Sequence, residues 1–166
     1  MKELLIIRHA KSSWADSQLR DYDRPLNDRG RRNAPEMGQR LARKGLIPDA
    51  VVSSAARRAR ETTLALAAET GVPESLIQFE QSLYLADEAR LLQRMHGFRD
   101  DWQRVWLVGH NPDLTDLANR LSDYETDNIP TCAVFRVAFD IEHWRDLVPG
   151  EGRLIEFDTP KRPSGL

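Results

Sequence analysis

Hydrophobic positions along the chain fall into two alternating patterns. Leu4-Leu5-Ile6-Ile7 is an unbroken aliphatic run, the signature of a short strand covered on both faces. Comparable runs recur at Asp49-Ala50-Val51-Val52-Ser53-Ser54, Leu76-Ile77-Gln78-Phe79 and Arg104-Val105-Trp106-Leu107-Val108-Gly109. Between them apolar residues return at helical spacing. Asn27 can cap a helix whose inner face includes Met37, Leu41 and Leu46 and which Gly45 ends. Pro35 lies inside that segment and removes a backbone donor, which predicts a kink or two shorter helices. Residues 55–70 form an Ala-, Arg- and Leu-rich helix stopped by Gly71 and Pro73, and 87–98 places Leu91, Leu92 and Met95 on one face. Pro112 suits the first turn of a helix carrying Leu114, Leu117, Ala118 and Leu121 inward. Residues 133–139 and 154–157 alternate enough to form a late antiparallel pair.

Strands alternating with helices predict an α/β domain, a three-layer sandwich with a mostly parallel central sheet flanked by helices. The 166 residues suffice for one domain, placed at 1–159, with 160–166 as a mobile C-terminal tail. Ser12 to Pro25 is polar and irregular, long enough for a loop over a site, and Asp23 reads as a turn residue leading into the first helix.

Charge and cysteine content narrow the classes. Twenty-four Lys and Arg against 26 Asp and Glu give a net charge of −2, without the basic excess of a nucleic-acid or membrane-surface binder. The single cysteine, Cys132, allows neither an intrachain disulfide nor a cysteine metal cluster. No apolar run approaches a signal peptide or a membrane span, so a soluble, cytoplasmic protein is expected, and with the sequence silent on oligomeric state a monomer is the default expectation.

The chemistry gathers at strand ends. In parallel sheets, ligands bind beyond the carboxyl ends of the strands. The first strand ends in Arg8 and His9, the second in Ser53 and Ser54 with Arg57 and Arg58 one turn on, and a later one in Gly109, His110 and Asn111. Guanidinium groups offer forked donors to phosphate oxygens, and neutral imidazole offers a lone pair to phosphorus. Brought to one edge, these residues make an anion pocket containing a nucleophile. Taken alone, the first strand could as well end in two polar residues of no special role.

The same residues carry a resemblance. Leu5-Ile6-Ile7-Arg8-His9-Ala10 resembles the Arg-His-Gly signature of the histidine phosphatase superfamily. Ser54-Ala55-Ala56-Arg57-Arg58-Ala59-Arg60-Glu61-Thr62 resembles its Ser-Pro-x-x-Arg-Ala-x-x-Thr stretch, which puts the second phosphate-binding arginine at Arg58. Val108-Gly109-His110-Asn111 resembles the later Gly-His. Arg8-His9-Ala10-Lys11-Ser12-Ser13-Trp14, Asp23-Arg24-Pro25-Leu26-Asn27, Gly109-His110-Asn111-Pro112 and Thr159-Pro160-Lys161 look specifically like the SixA-type phosphohistidine phosphatases. The resemblance implies a metal-independent, cofactor-free phosphatase in which His9 becomes phosphorylated and Arg8, Arg58 and His110 bind and polarise the phosphoryl group. Ser12 and Asn111 are further candidate phosphate contacts, Arg57 a rim residue, and Trp14 the tryptophan expected nearest the site.

Departures from the pattern are informative. Ala10 and Ala55 replace the signature glycine and proline, and Ala15 stands where larger mutases of the superfamily carry an asparagine. Leu83-Tyr84-Leu85-Ala86 occupies the region where many relatives place a glutamate that protonates the leaving oxygen. Glu80 precedes it, and Asp87 and Glu88 follow; Asp87 is a candidate proton donor. An alkoxide leaving group benefits from such an acid, whereas imidazole, with a conjugate-acid pKa of about 6.5, needs less help. The expected substrate is therefore a phosphohistidine-bearing protein. Small phosphate esters and a non-catalytic phosphate-binding module are the alternatives.

Overall fold

The structure is a computed structural model and describes residues 1–161. Its elements run β1 (Lys2–Arg8), α1 (Asp28–Arg43), β2 (Ala50–Ser54), α2 (Arg57–Thr70), β3 (Ile77–Glu80), α3 (Glu88–His96), β4 (Arg104–Gly109), α4 (Asp113–Leu121), β5 (Val134–Phe139) and β6 (Arg153–Asp158). The strands form one sheet in the order β3-β2-β4-β1-β5-β6. The β3–β2, β2–β4 and β4–β1 pairs are parallel, while β5 runs antiparallel to both β1 and β6.

Side-chain alternation along β1 divides the core into two layers. Leu5 and Ile7 pack with Val51, Trp106 and Val108 against Ala34, Met37 and Leu41 of α1 and Ala59 and Leu66 of α2. Leu4 and Ile6 point the other way, with Val52, Val105 and Leu107, onto Leu91 and Met95 of α3 and Leu114, Leu117 and Leu121 of α4. The aliphatic run is thus covered on both faces, as its pattern predicts. No helix of the described residues is long and apolar enough to cross a membrane.

Local signals act as expected at most helix ends. The Asn27 side chain accepts a hydrogen bond from Gly30 N at 2.9 Å and caps α1, and Gly71, at φ +77°, closes α2. Pro35 is different: α1 continues through it as one sixteen-residue helix, not two shorter ones. Proline forfeits one backbone bond there, while Ala34, Met37 and Leu41 keep α1 anchored in the core. Of the expected tail, the Pro160 carbonyl accepts from Arg40 Nη2 at 3.0 Å, and residues 162–166 lie outside the described residues.

Because β4 lies between β1 and β2, the three strand ends that carry the polar residues are neighbours. Arg8 pairs in register with Gly109, and Ser53 with Val108.

Candidate active site

His9 follows the last residue of β1 and is buried. Its backbone is clamped from both sides: His9 N donates to Gly109 O at 3.0 Å, and Cys132 N donates to Arg8 O and His9 O at 3.0 and 3.1 Å. The side-chain Nδ1 lies 2.7 Å from Ala10 O. A carbonyl can only accept, so Nδ1 carries the ring proton and Nε2 keeps its lone pair. Ala10 N in turn donates to Thr62 Oγ1 at 2.9 Å, and Thr62 Oγ1 donates to Arg58 O at 2.8 Å. The threonine of the α2 stretch therefore ties the loop after β1 to the helix that presents Arg58.

His110 leaves the end of β4 and sets its ring centroid 5.1 Å from that of His9. Its Nε2 is 2.8 Å from Ser54 Oγ, which also accepts from Ala56 N at 3.2 Å. In the tautomer in which the Ser54 hydroxyl donates to His110 Nε2, the ring proton lies on Nδ1. Nδ1 of His110 and Nε of Arg8 are both buried without a protein partner. Buried donors of this kind call for an acceptor, and a phosphoryl oxygen is one. Arg8 is steadied by donation from Nη1 to Ile129 O at 3.0 Å.

Burial first, then neighbouring His110 for His9 and the Arg58 and Arg8 guanidiniums for both rings, pushes His9 down to about 3 and His110 down to about 4, against the opposing pull of Ala10 O on His9 and Asp21 on His110. Both imidazoles are thus neutral at pH 7, and a neutral ring keeps one nitrogen lone pair.

One carboxylate joins the cluster. Asp21, on a 3₁₀ turn in the loop after β1, receives Arg58 through Nη1 on its backbone carbonyl (2.6 Å) and Nη2 on Oδ2 (3.0 Å). Arg24 Nη1 donates to Oδ1 at 2.7 Å and the Tyr84 hydroxyl to Oδ2 at 2.5 Å. Although desolvation opposes ionisation, these donors hold the Asp21 carboxyl far below the usual carboxylate range. The Tyr84 ring packs edge-on against His110 at 5.5 Å. Arg24 also donates to Ser12 Oγ and lies 3.3 Å from the ring centroid of Trp14.

The structure thus brings together Arg8, His9, Arg58 and His110, and it places other candidates elsewhere. Ser12 is engaged by Arg24. Asn111 braces the neighbouring loop, giving Nδ2 to Asn128 Oδ1 and Ile129 O and taking bonds from Thr115 N and Oγ1. Asp87 caps α3 by accepting from Arg90 N, and Glu80 is held by Arg94, so neither joins the cluster as a proton donor. Arg57 is exposed and pairs with Glu61. Sequence reasoning missed Asp21, Tyr84 and the Ser54 contact to His110. The position of Asp21 inside the polar loop expected to cover a site was the available signal.

An α/β sandwich with two histidines and two arginines at adjacent strand ends is the frame of a phosphatase. Residues 4–83 match the model of the histidine phosphatase superfamily (branch 1), and the chain belongs to that superfamily, with the architecture of its SixA type. An uncharacterized protein of Mycobacterium tuberculosis is 33% identical over 167 residues, covering 93% of this chain and 100% of that protein. Among solved structures, a protein of Agrobacterium tumefaciens described as a phosphohistidine phosphatase SixA superposes with a TM-score of 0.83 at 27% identity, over 96% of this chain and 98% of the other. The protein histidine phosphatase SixA complexed with tungstate shares the fold at 20% identity, with a TM-score of 0.81 over 96% and 97% of the two chains.

Proposed function

We propose that this phosphatase hydrolyses phosphohistidine on a protein through a phosphorylated His9. The observation that carries the reading is the state of the carboxylate in the cluster. Asp21 is bound by Arg24, Arg58 and Tyr84 and stays ionised, so it has no proton to give an alkoxide. Phosphoramidates need none, because the leaving nitrogen is a weak base.

In the first step the substrate ring carries a proton on its far nitrogen; the His9 Nε2 lone pair forms a bond to phosphorus while the P–N bond breaks, its electron pair remaining on the leaving nitrogen, and neutral imidazole departs. Water then attacks phospho-His9; the P–Nε2 bond breaks, Nε2 regains its lone pair, and the water's proton leaves with phosphate. Throughout, Nδ1–H stays on Ala10 O and fixes the tautomer. Phosphoryl transfer spreads charge over the equatorial oxygens, and Arg8, Arg58 and His110 supply the fixed donors that meet it. Trp14, 73% exposed, borders this network through Arg24, and exposed apolar surface beside it suits a protein substrate.

The test is phosphate release from a phosphohistidine-bearing peptide with EDTA present. Wild type is expected to release phosphate and to carry transient phosphate on His9, and His9→Ala to do neither. Equal release by His9→Ala, or none by wild type, would sink the proposal.

A further inference from the structure

On the phosphohistidine reading, we infer that Asp21 is a catalytic residue for the leaving group. Its Oδ1 accepts a hydrogen bond from the far ring N–H of the substrate imidazole, holding that ring in the imidazolium form from which the P–N bond breaks. Three observations point to it. The first is position. His9 is buried at 6% exposed, whereas the Asp21 side chain is 42% exposed and lies nearer solvent. Asp21 also reaches the His110 side of the pocket through Tyr84, whose ring lies 5.5 Å from that of His110. In-line attack by the buried His9 ring sends the departing group away from it, toward the more exposed side on which Asp21 lies.

The second is capacity. A carboxylate offers about four lone-pair positions. Arg58 and Tyr84 occupy Oδ2 and Arg24 occupies one position of Oδ1, so one acceptor direction of Oδ1 stays open.

The third is symmetry of the chemistry. During transfer the phosphoryl group lies between two imidazoles, and each gives up or gains phosphorus at one nitrogen while the other nitrogen holds a proton. For His9 the acceptor of that proton is the Ala10 carbonyl. Asp21 is the matching acceptor for the substrate ring. The balance is complete without a general acid: the P–N bond breaks, its electrons stay on the leaving nitrogen, the far nitrogen keeps its proton, and neutral imidazole departs. Arg24 and Arg58 face Asp21 from its own loop and from α2, the neutral Tyr84 from the loop after β3 and the neutral His110 from the end of β4, and for a ring placed on it the directly bonded carboxylate outweighs the two more distant guanidiniums.

The experiment compares kcat/KM for a phosphohistidine peptide and for para-nitrophenyl phosphate, whose leaving group has no ring N–H, in wild type and Asp21→Asn. Loss of a charge-assisted hydrogen bond to the leaving ring lowers the peptide value roughly 10- to 100-fold. The aryl phosphate loses only the smaller factor that a loosened Arg58 brings. A positioning role alone would lower both substrates by the same factor, and that result, or no loss on the peptide, overturns the inference. A second reading needs only wild type. The alkaline limb of kcat on the peptide is expected above the imidazole pKa of the free substrate, and a limb at or below that pKa overturns the inference as well. Wild type that cleaves the aryl phosphate but leaves phosphohistidine intact would instead refute the substrate assignment on which it rests.

Discussion

Lowering the pH from 7 to 5 is expected to destabilise the protein chiefly through His9 and His110. Both are buried and neutral, with pKa values of about 3 and about 4, while in the unfolded chain each returns to about 6.5. Between those limits the unfolded state binds more protons than the folded state, so stability is full above pH 6.5 and is lost as the pH falls. At pH 5 each unfolded imidazole is protonated and each folded one is not, which amounts to about 2 kcal/mol per histidine, or ~4 kcal/mol for the pair. That figure is set by the unfolded value and by the distance to pH 5, so it holds wherever the folded values fall below 5. It is a sizeable part of the ~5–15 kcal/mol that a domain has available. The assay is urea denaturation at pH 7, 6 and 5 at constant ionic strength, on wild type, His9→Ala, His110→Ala and the double variant. The cavity each substitution leaves changes the level of stability but not its slope with pH. Each single variant is expected to lose about half of what wild type loses, and the double variant to be nearly flat from these two sites. A slope unchanged in His9→Ala would show that His9 titrates in the folded protein as it does in the unfolded chain, and would refute the lowering by burial.

Two further outcomes are expected. Arg58→Lys keeps the charge but loses the fork that Asp21 holds in place, so kcat falls by roughly 100-fold for phosphohistidine and aryl phosphate alike, as for loss of one preorganised donor; a change confined to KM would show that Arg58 only captures substrate. Gly30→Ala puts a Cβ 2.2 Å from Lys11 O, the carbonyl that accepts from Asn27 N. The backbone must give way there, at a cost of about 1–3 kcal/mol, and thermal denaturation should show a lower Tm together with lower kcat, because Lys11 lies two residues beyond the nucleophile.

Much of the fold is legible because burial on two faces leaves a plain trace. Leu4–Ile7 could be read as a covered strand since each successive side chain enters a different core layer. The alternation at 133–139 marked β5, which joins β6 as an antiparallel pair at one edge of the sheet. Pro35 misled because local chemistry counts one lost hydrogen bond, whereas the helix is decided by the apolar face that Ala34, Met37 and Leu41 bury. That Arg8, His9 and His110 share one edge was legible for a related reason, while Arg58 was singled out from Arg57 by the resemblance of its stretch to the superfamily's. A parallel sheet gathers its carboxyl ends, so residues far apart in sequence share an edge once the strands are known.

Asp21 had no such guide. Its loop has no periodicity, and its partners Arg58 and Tyr84 lie 37 and 63 residues away. Searching for an acid near Leu83–Ala86 led to Glu80 and Asp87, both of which the structure uses elsewhere, on Arg94 and on the α3 cap. The stretch contributes a tyrosine instead, and the tyrosine reaches the carboxylate across the mouth of the pocket. A proton donor and a proton acceptor look alike in sequence, since each is an aspartate or glutamate. What separates them is the number of donors that surround the carboxyl group. Three converge on the Asp21 carboxylate, and that count turns a residue that could have served an alkoxide into one suited to an imidazolium.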